Sequence, residues 1–381
     1  MSDLRVATII HGYFPRVGGA ETQLRALVPH LKERGIEMSI LTRRYDTALP
    51  SHEIVDGISV YRLPASGPKV WASLRFTFAA FWRLLRLRPQ LVHAHEFISP
   101  ATVGLLAERF LGIPLIVTSH RSGEIGDVQK MQRKRTGPYR LKALKERGSS
   151  FVVISDEIWD ELRNIGVDAE RLARITNGVD THRFSALSPD EKATARVEAG
   201  FDPAAPTAIF TGRLVPEKRL DLLIRVWAQF RKTSPNAVLM ILGAGAEEER
   251  LKAMAGEGVR FMGSTTDVVP YLQLADIFVL PSVAEGLSVA LLEAMSCELV
   301  PLLTDVGGAR EVVTHQQDGW VIAPDDEAAL LDGLQQLFGD GQTLNKRSQA
   351  ARKRVIEKFS VQLAAEKLSK LYFDLYSRQS S

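Results

Sequence analysis

Short apolar runs of strand length alternate along the whole chain with stretches in which apolar residues recur every three or four positions. In the first half RVATIIHG (5–12), MSILTR (38–43), ISVYRL (58–63), LVHAH (91–95), LIVTSH (115–120) and FVVIS (151–155) predict strands, with helices between most of them. The second half repeats the scheme with AIFTGR (208–213), AVLMILG (237–243), VRFMG (259–263), IFVLPS (277–282) and LVPLLT (299–304). Such short, continuously apolar strands fit parallel sheets covered by helices on both faces, so the expected class is α/β, with two doubly wound domains in tandem. Turn-forming and polar residues cluster without apolar periodicity in NGVDTHRFSALSPDEK (177–192), which sets the expected domains at 1–182 and 183–360. A helical tail, 361–381, is expected to pack back across the joint.

A chain of 381 residues with 45% apolar and 24% charged residues has the composition of a globular protein with room for two cores. One cysteine, Cys297, allows no internal disulfide, and the first residues lack the layout of a secretory signal; a cytoplasmic location is the expectation. WASLRFTFAAFWRLLRLRP (71–89) has the length of a membrane span but is interrupted by Arg75, Arg83, Arg86 and Arg88. Residues 1–180 hold 26 Lys and Arg against 19 Asp and Glu, so this half points to an anionic partner or to a merely solvated surface. The aromatic and basic stretch 69–88, with the basic run 130–147, fits peripheral association with an anionic membrane at its inner face. Equally, it fits aromatics packed beneath a sheet and a solvated basic helix. No nucleic-acid partner is expected.

Open parallel sheets bind ligands at the carboxyl ends of their strands, so the loops there carry the candidate chemistry. VGGAE (17–21) follows the first strand and opens a helix; Gly18 and Gly19 fit an anion site at its N-terminus, or a tight turn. GAGAEEER (243–250) has Glu248 where a dinucleotide fingerprint needs its third glycine, which argues against a nicotinamide cofactor. GRLVPEK (212–218) brings Arg213 and Lys218 to a sheet edge, where they would neutralise a diphosphate. In EGLSVALLEAM (285–295), Glu285 precedes a helix and Glu293 lies about a turn into it; two such carboxylates can accept hydrogen bonds from sugar hydroxyls.

GGAE (18–21), TSH (118–120), NGVD (177–180), GRLVPEK (212–218), GAG (243–245), ADIFVLPS (275–282), EGLSVALLEAM (285–295) and DVGGAREVV (305–313) together resemble the retaining glycosyltransferases of family 4, whose fold is GT-B. The resemblance spans nearly the whole chain. It implies two Rossmann-like domains facing each other across a cleft, and transfer of a sugar from a nucleoside-diphosphate sugar, UDP favoured over GDP, to a hydroxyl acceptor. The acceptor is expected to be a sugar, a lipid-linked molecule or a small molecule, in cell-envelope glycolipid or polysaccharide synthesis. By the same resemblance Gly18 and Gly19 face the donor phosphate, Arg213 and Lys218 hold the diphosphate, Glu285 binds the transferred sugar and Glu293 the ribose. His120 lies beside the donor sugar, Gly286, Leu287 and Ser288 offer amides, and Gly212 and Gly243 border the donor.

The chain departs from the family at Glu298, where a glycine is usual, at Leu287 and Ser288, where an aromatic residue and a glycine are common, and at Arg121, where an acid is frequent. By the resemblance the changed loop residues border the sugar pocket and bear on which sugar is bound. No D-x-D follows a strand, and PDDE (324–327) reads as a helix start, so neither metal nor cofactor is expected. The alternatives are a nucleotide-sugar epimerase or hydrolase, which needs a further acid or base beyond His120, and a catalytically silent partner subunit.

Overall fold

The computed structural model describes residues 3–16, 18–123 and 126–380, the last of them by backbone alone. The chain divides into two compact units, one formed by residues up to Asn177 together with those from Val361, the other by Gly178–Ser360.

In the first unit the strands are β1 (Leu4–Ile9), β2 (Ile36–Arg44), β3 (His52–Val55), β4 (Ile58–Pro64), β5 (Leu91–His95), β6 (Leu115–Ser119), β7 (Ser150–Val153) and β8 (Leu172–Arg174). They form one sheet in the order β3-β4-β2-β1-β5-β6-β7-β8. All neighbours are parallel except β3 and β4, where His52 faces Tyr61 in an antiparallel edge pair. This antiparallel edge strand adds to the parallel sheet that the sequence predicts; β3 is short, half-exposed and lacks a long apolar run. Every residue of β5, β6 and β7 is buried, as expected of strands covered on both faces. The final helix, Val361–Ser380, packs on helix Gly19–Lys32, and its Tyr372 hydroxyl lies 2.6 Å from His93 Nδ1 inside this unit. The strand order reverses between β1 and β5, so the crevice of this sheet opens where His11 and Glu96 leave those strands.

The second unit holds β9 (Thr207–Thr211), β10 (Val238–Leu242), β11 (Val259–Gly263), β12 (Ile277–Leu280), β13 (Val300–Thr304) and β14 (Trp320–Ile322), in the wholly parallel order β11-β10-β9-β12-β13-β14. Helix Leu220–Phe230 buries Leu223, Val226, Trp227 and Phe230, an apolar face at helical spacing. Asp276, just before β12, accepts from Lys192 and Arg196 at 2.8 Å each and from the Thr207 amide, tying helix Pro189–Glu198 to the sheet. Its place in the ADIFVLPS motif is therefore structural. Asp326 caps helix Glu327–Gly339 by accepting from the Ala329 amide, so PDDE is a helix start. The reversal in this sheet falls between β9 and β12.

Candidate active site

The loops leaving β9 and β12 converge at that reversal. After β9 the backbone passes through Gly212 and Arg213 into a short turn, Pro216–Lys218. Gly243, at the end of β10, has φ +145°, and a Cβ there would lie 1.8 Å from the Gly212 carbonyl oxygen; only glycine permits this approach of the two loops. The Val283 amide then donates to the Glu217 carbonyl at 2.9 Å, which fastens the β12 loop to the β9 loop. That bond brings Lys218 and Glu285, far apart in sequence, into an ion pair whose side chains are 15% and 14% exposed. Arg213 is half-exposed and has Glu217 as a neighbour at 3.9 Å.

A second clamp holds the Glu285 loop from the other side. Gly308 donates its amide to the Gly286 carbonyl at 3.0 Å, and Gly307, at φ +56°, presses so closely that a Cβ would meet the carbonyl oxygens of Gly286 and Glu285 at 2.5 and 2.7 Å. Leu287 turns its side chain inward, buried and facing Gly308, so only its backbone borders the loop surface. The Ser288 hydroxyl accepts from the Leu291 amide at 3.3 Å and caps helix Val289–Ser296, so this hydroxyl is occupied in starting the helix. Within that helix Glu293 is buried, and burial pushes its carboxyl up to about 8, with Arg183 pulling it back. The carboxyl thus holds its proton at neutral pH. Beside the site the hydroxyls of Thr211, at the end of β9, and Ser282, just past β12, are buried with no hydrogen-bond partner among the described residues.

In the first unit Gly18 is the residue before helix Gly19–Lys32, and Val17 ahead of it lies outside the described residues. Glu21 folds back over this N-terminus: a Cβ on Gly18 would lie 2.6 Å from Glu21 Oε2, and one on Gly12 would lie 3.0 Å from Oε1. The negative charge at the helix start is here the chain's own carboxylate. Across the β1/β5 reversal His11 Nδ1 meets Glu96 Oε2 at 2.5 Å. Burial acts to raise the Glu96 carboxyl, but the hydrogen bond and charge of His11 outweigh it and hold the group at about 2.

His120, leaving β6, stacks on His95, with its Nε2 at 2.9 Å from His95 Nδ1. Its amide donates to Asp127 Oδ2 at 2.9 Å. Burial lowers His120 to about 4 and His95 well below its ordinary value, so both rings are neutral at pH 7, and His95 Nε2 has no hydrogen-bond partner among the described residues. Burial also raises Asp127, to about 6. Motif spacing singles out His120 but not His95, Gly307 or Glu21; the HAH of LVHAH and the GG of DVGG are the signals that point to the first two.

The structure therefore gathers Gly212, Arg213, Lys218, Gly243, Glu285, Gly286, Leu287, Ser288 and Glu293 in the second unit, and in the first places Gly18 and Gly19 at the start of a helix and His120 just past β6. Residues 17–183 match the family model described as Glycosyltransferase Family 4, and residues 191–354 the one described as Glycosyl transferases group 1. A mannosyltransferase of Corynebacterium glutamicum, described as GDP-mannose-dependent and acting on a monoacylated phosphatidylinositol monomannoside, is 26% identical over 97% of this chain and 98% of its own. Among solved structures, sucrose-phosphate synthase from Thermosynechococcus elongatus superposes with a TM-score of 0.84 at 22% identity, covering 98% of this chain and 99% of that one. Anabaena HepE in complex with UDP-glucose gives 0.80 at 18% identity, covering 97% and 99%. With the two family models between them spanning most of the sequence and both sheets wound as in these neighbours, the chain belongs to the family 4 glycosyltransferases of GT-B fold.

Proposed function

We propose that this glycosyltransferase takes its sugar from a nucleoside-diphosphate sugar, a UDP-sugar in the first instance, and transfers it with retention of configuration and without a metal. The observation that carries the reading is the pairing of Lys218 with Glu285 at the β9/β12 reversal, with Arg213 half-exposed beside them. Arg213 and Lys218 are the two cations available to a departing diphosphate, and stabilising the charge that builds on it is the main demand of the reaction. Glu285 accepts from hydroxyls of the transferred sugar, and Glu293 from those of the ribose. Gly286, Leu287 and Ser288 contribute backbone amides. Gly18 and Gly19 are assigned to a donor phosphate, which has to displace or share the place of the Glu21 carboxylate, and His120 to the donor sugar.

In the step itself the bond from the anomeric carbon to the diphosphate oxygen breaks. The acceptor oxygen bonds to that carbon on the same face, and its proton passes to the departing phosphate. No side chain is assigned as nucleophile, because Glu285 is engaged with Lys218 and the sugar.

UDP is favoured by the UDP-glucose complex of the structural neighbour, and GDP remains the second choice because the Corynebacterium relative uses GDP-mannose. That relative's phosphatidylinositol monomannoside acceptor supports a lipid-linked acceptor here, which we assign to envelope glycolipid or polysaccharide synthesis at the inner face of the cell membrane. Incubation with a panel of UDP-, GDP- and ADP-sugars and candidate acceptors, read as nucleotide release and as the anomeric configuration of the product by NMR, tests the reading. Release from a UDP-sugar with a retained anomer supports it; an inverted product or strict dependence on a divalent metal overturns it.

A further inference from the structure

Helix Lys69–Leu87 has two apolar faces, and only one is used by the fold. Ala72, Phe76, Ala80 and Leu84 recur every fourth residue and are buried. Trp71, Leu74, Phe78, Trp82 and Leu85 recur at spacings of three and four and are all exposed, Phe78 to 71% and Trp71 to 61%. At about 100° per residue the second set lies on the side of the helix opposite the first. Phe78 and Trp82 stack on one another in the open stripe at 6.2 Å between ring centres.

The charge around this stripe has one sign. From Lys69 to Arg88 there are five basic residues and no acid, and Arg75 and Arg86 flank the stripe, both exposed. The neighbouring helices of this layer, Ser99–Leu111 and Gly137–Arg147, add exposed Phe110 and Tyr139. Exposed Arg133, Lys134, Arg135 and Lys142 lie on and just before the second of them. The acids of this layer, Glu108 and Glu146, are paired with Arg147 at 3.2 Å and Lys142 at 3.8 Å. A continuous apolar stripe with aromatic side chains, bordered by an excess of cations, is complementary to a surface that is apolar within and anionic at its rim. Among the described residues no helix is long and apolar enough to cross a membrane, so the contact is one of lying on the surface.

We propose that this layer docks on an anionic lipid bilayer, with Trp71, Leu74, Phe78, Trp82 and Leu85 entering the headgroup and acyl boundary and the arginines and lysines pairing with lipid phosphates. It deepens, and for its biological purpose rests on, the reading of a membrane-presented acceptor; the lipid contact itself requires no donor or acceptor. Opposite charges attract the basic residues to the surface over a Debye length, and burial of the stripe then holds the chain there.

The test is co-sedimentation of the full chain with vesicles of phosphatidylcholine alone and of phosphatidylcholine rich in phosphatidylglycerol, at low and high salt, without nucleotide sugar. Binding should rise with anionic lipid and fall with salt, and the triple variant Trp71→Ser, Phe78→Ser, Trp82→Ser should lose about tenfold or more in partitioning. A second variant, Arg75→Glu with Arg86→Glu, should lose binding with the stripe intact. Neither should alter nucleoside diphosphate binding, so loss of that binding in the parent chain would count against the proposed donor and leave the lipid result standing. Absence of pelleting at low salt on strongly anionic vesicles overturns the proposal, as does a stripe whose variants change only the oligomeric state in light scattering.

Discussion

Lys218 and Glu285 form an ion pair, its two side chains almost buried at the crevice of the second sheet. A pair held this way does two things. It positions the cation for a leaving diphosphate, and it leaves each partner dependent on the other for charge compensation. Lys218→Ala should therefore lower turnover by about 2 to 4 kcal/mol, roughly thirty- to a thousandfold, and also lower the melting temperature. Combining it with Glu285→Gln removes the stranded carboxylate, so the double variant should regain thermal stability without regaining turnover. Recovery of both together would mean that Lys218 is only structural.

Arg213 is freer, with a single acidic neighbour at 3.9 Å, so Arg213→Ala should leave the melting temperature within error while turnover falls strongly. Arg213→Lys should recover only part of the loss, because lysine lacks the planar fork that grips two phosphate oxygens. Steady-state kinetics at saturating donor, beside a thermal melt, separates the two effects.

Glu293 gives a pH signature. Its folded carboxyl, raised to about 8 by burial, stands above the ordinary value of 4.5, so the folded chain holds a proton that the unfolded chain has lost. The contribution to stability is full below about 4.5 and is lost as pH rises towards 8. Glu293→Gln has no such proton, so its melting temperature relative to the parent should climb across this window. If ribose hydroxyls donate to the ionised form, donor binding at neutral pH releases a proton and weakens by about ten- to a hundredfold in the variant. Calorimetry in two buffers of different ionisation enthalpy reads the proton directly. Glu285→Gln, by contrast, should chiefly slow transfer.

Gly307 holds the Glu285 loop by contact between backbones. Gly307→Ala places a methyl group within 2.7 Å of two carbonyl oxygens at a φ that alanine rarely adopts, so the loop must move. Turnover should fall about as far as in Glu285→Gln while circular dichroism stays that of the parent. Unchanged turnover would show that the loop tolerates displacement.

Most of the strands were legible because buried parallel strands are continuously apolar, as LIVTS in β6 is. β3, β8 and β14, of three or four residues, were not, since so short a run carries no period. The start of helix Pro189–Glu198 was written in SPDE, where Ser188 and Glu191 form a capping box, but the turn-forming residues around it read as linker. Motif chemistry identified Lys218 and Glu285 singly. Their pairing depends on contacts between loops, Val283 to Glu217 and Gly308 to Gly286, which no local pattern encodes. The same holds for His95 against His120 and for Glu21 over Gly18, contacts made by neighbouring strand ends and a folded-back side chain.

The central claim is that Arg213 and Lys218 receive a nucleoside diphosphate, and it can be tested without knowing the acceptor. Isothermal titration of UDP, GDP and ADP into the parent chain and into the Arg213→Ala, Lys218→Ala double variant measures it directly. The account predicts saturable binding of at least one of them, strongest for UDP, weakened by about a hundredfold or more in the double variant. Binding of equal strength in both proteins, or no binding of any of the three to the parent, would contradict it.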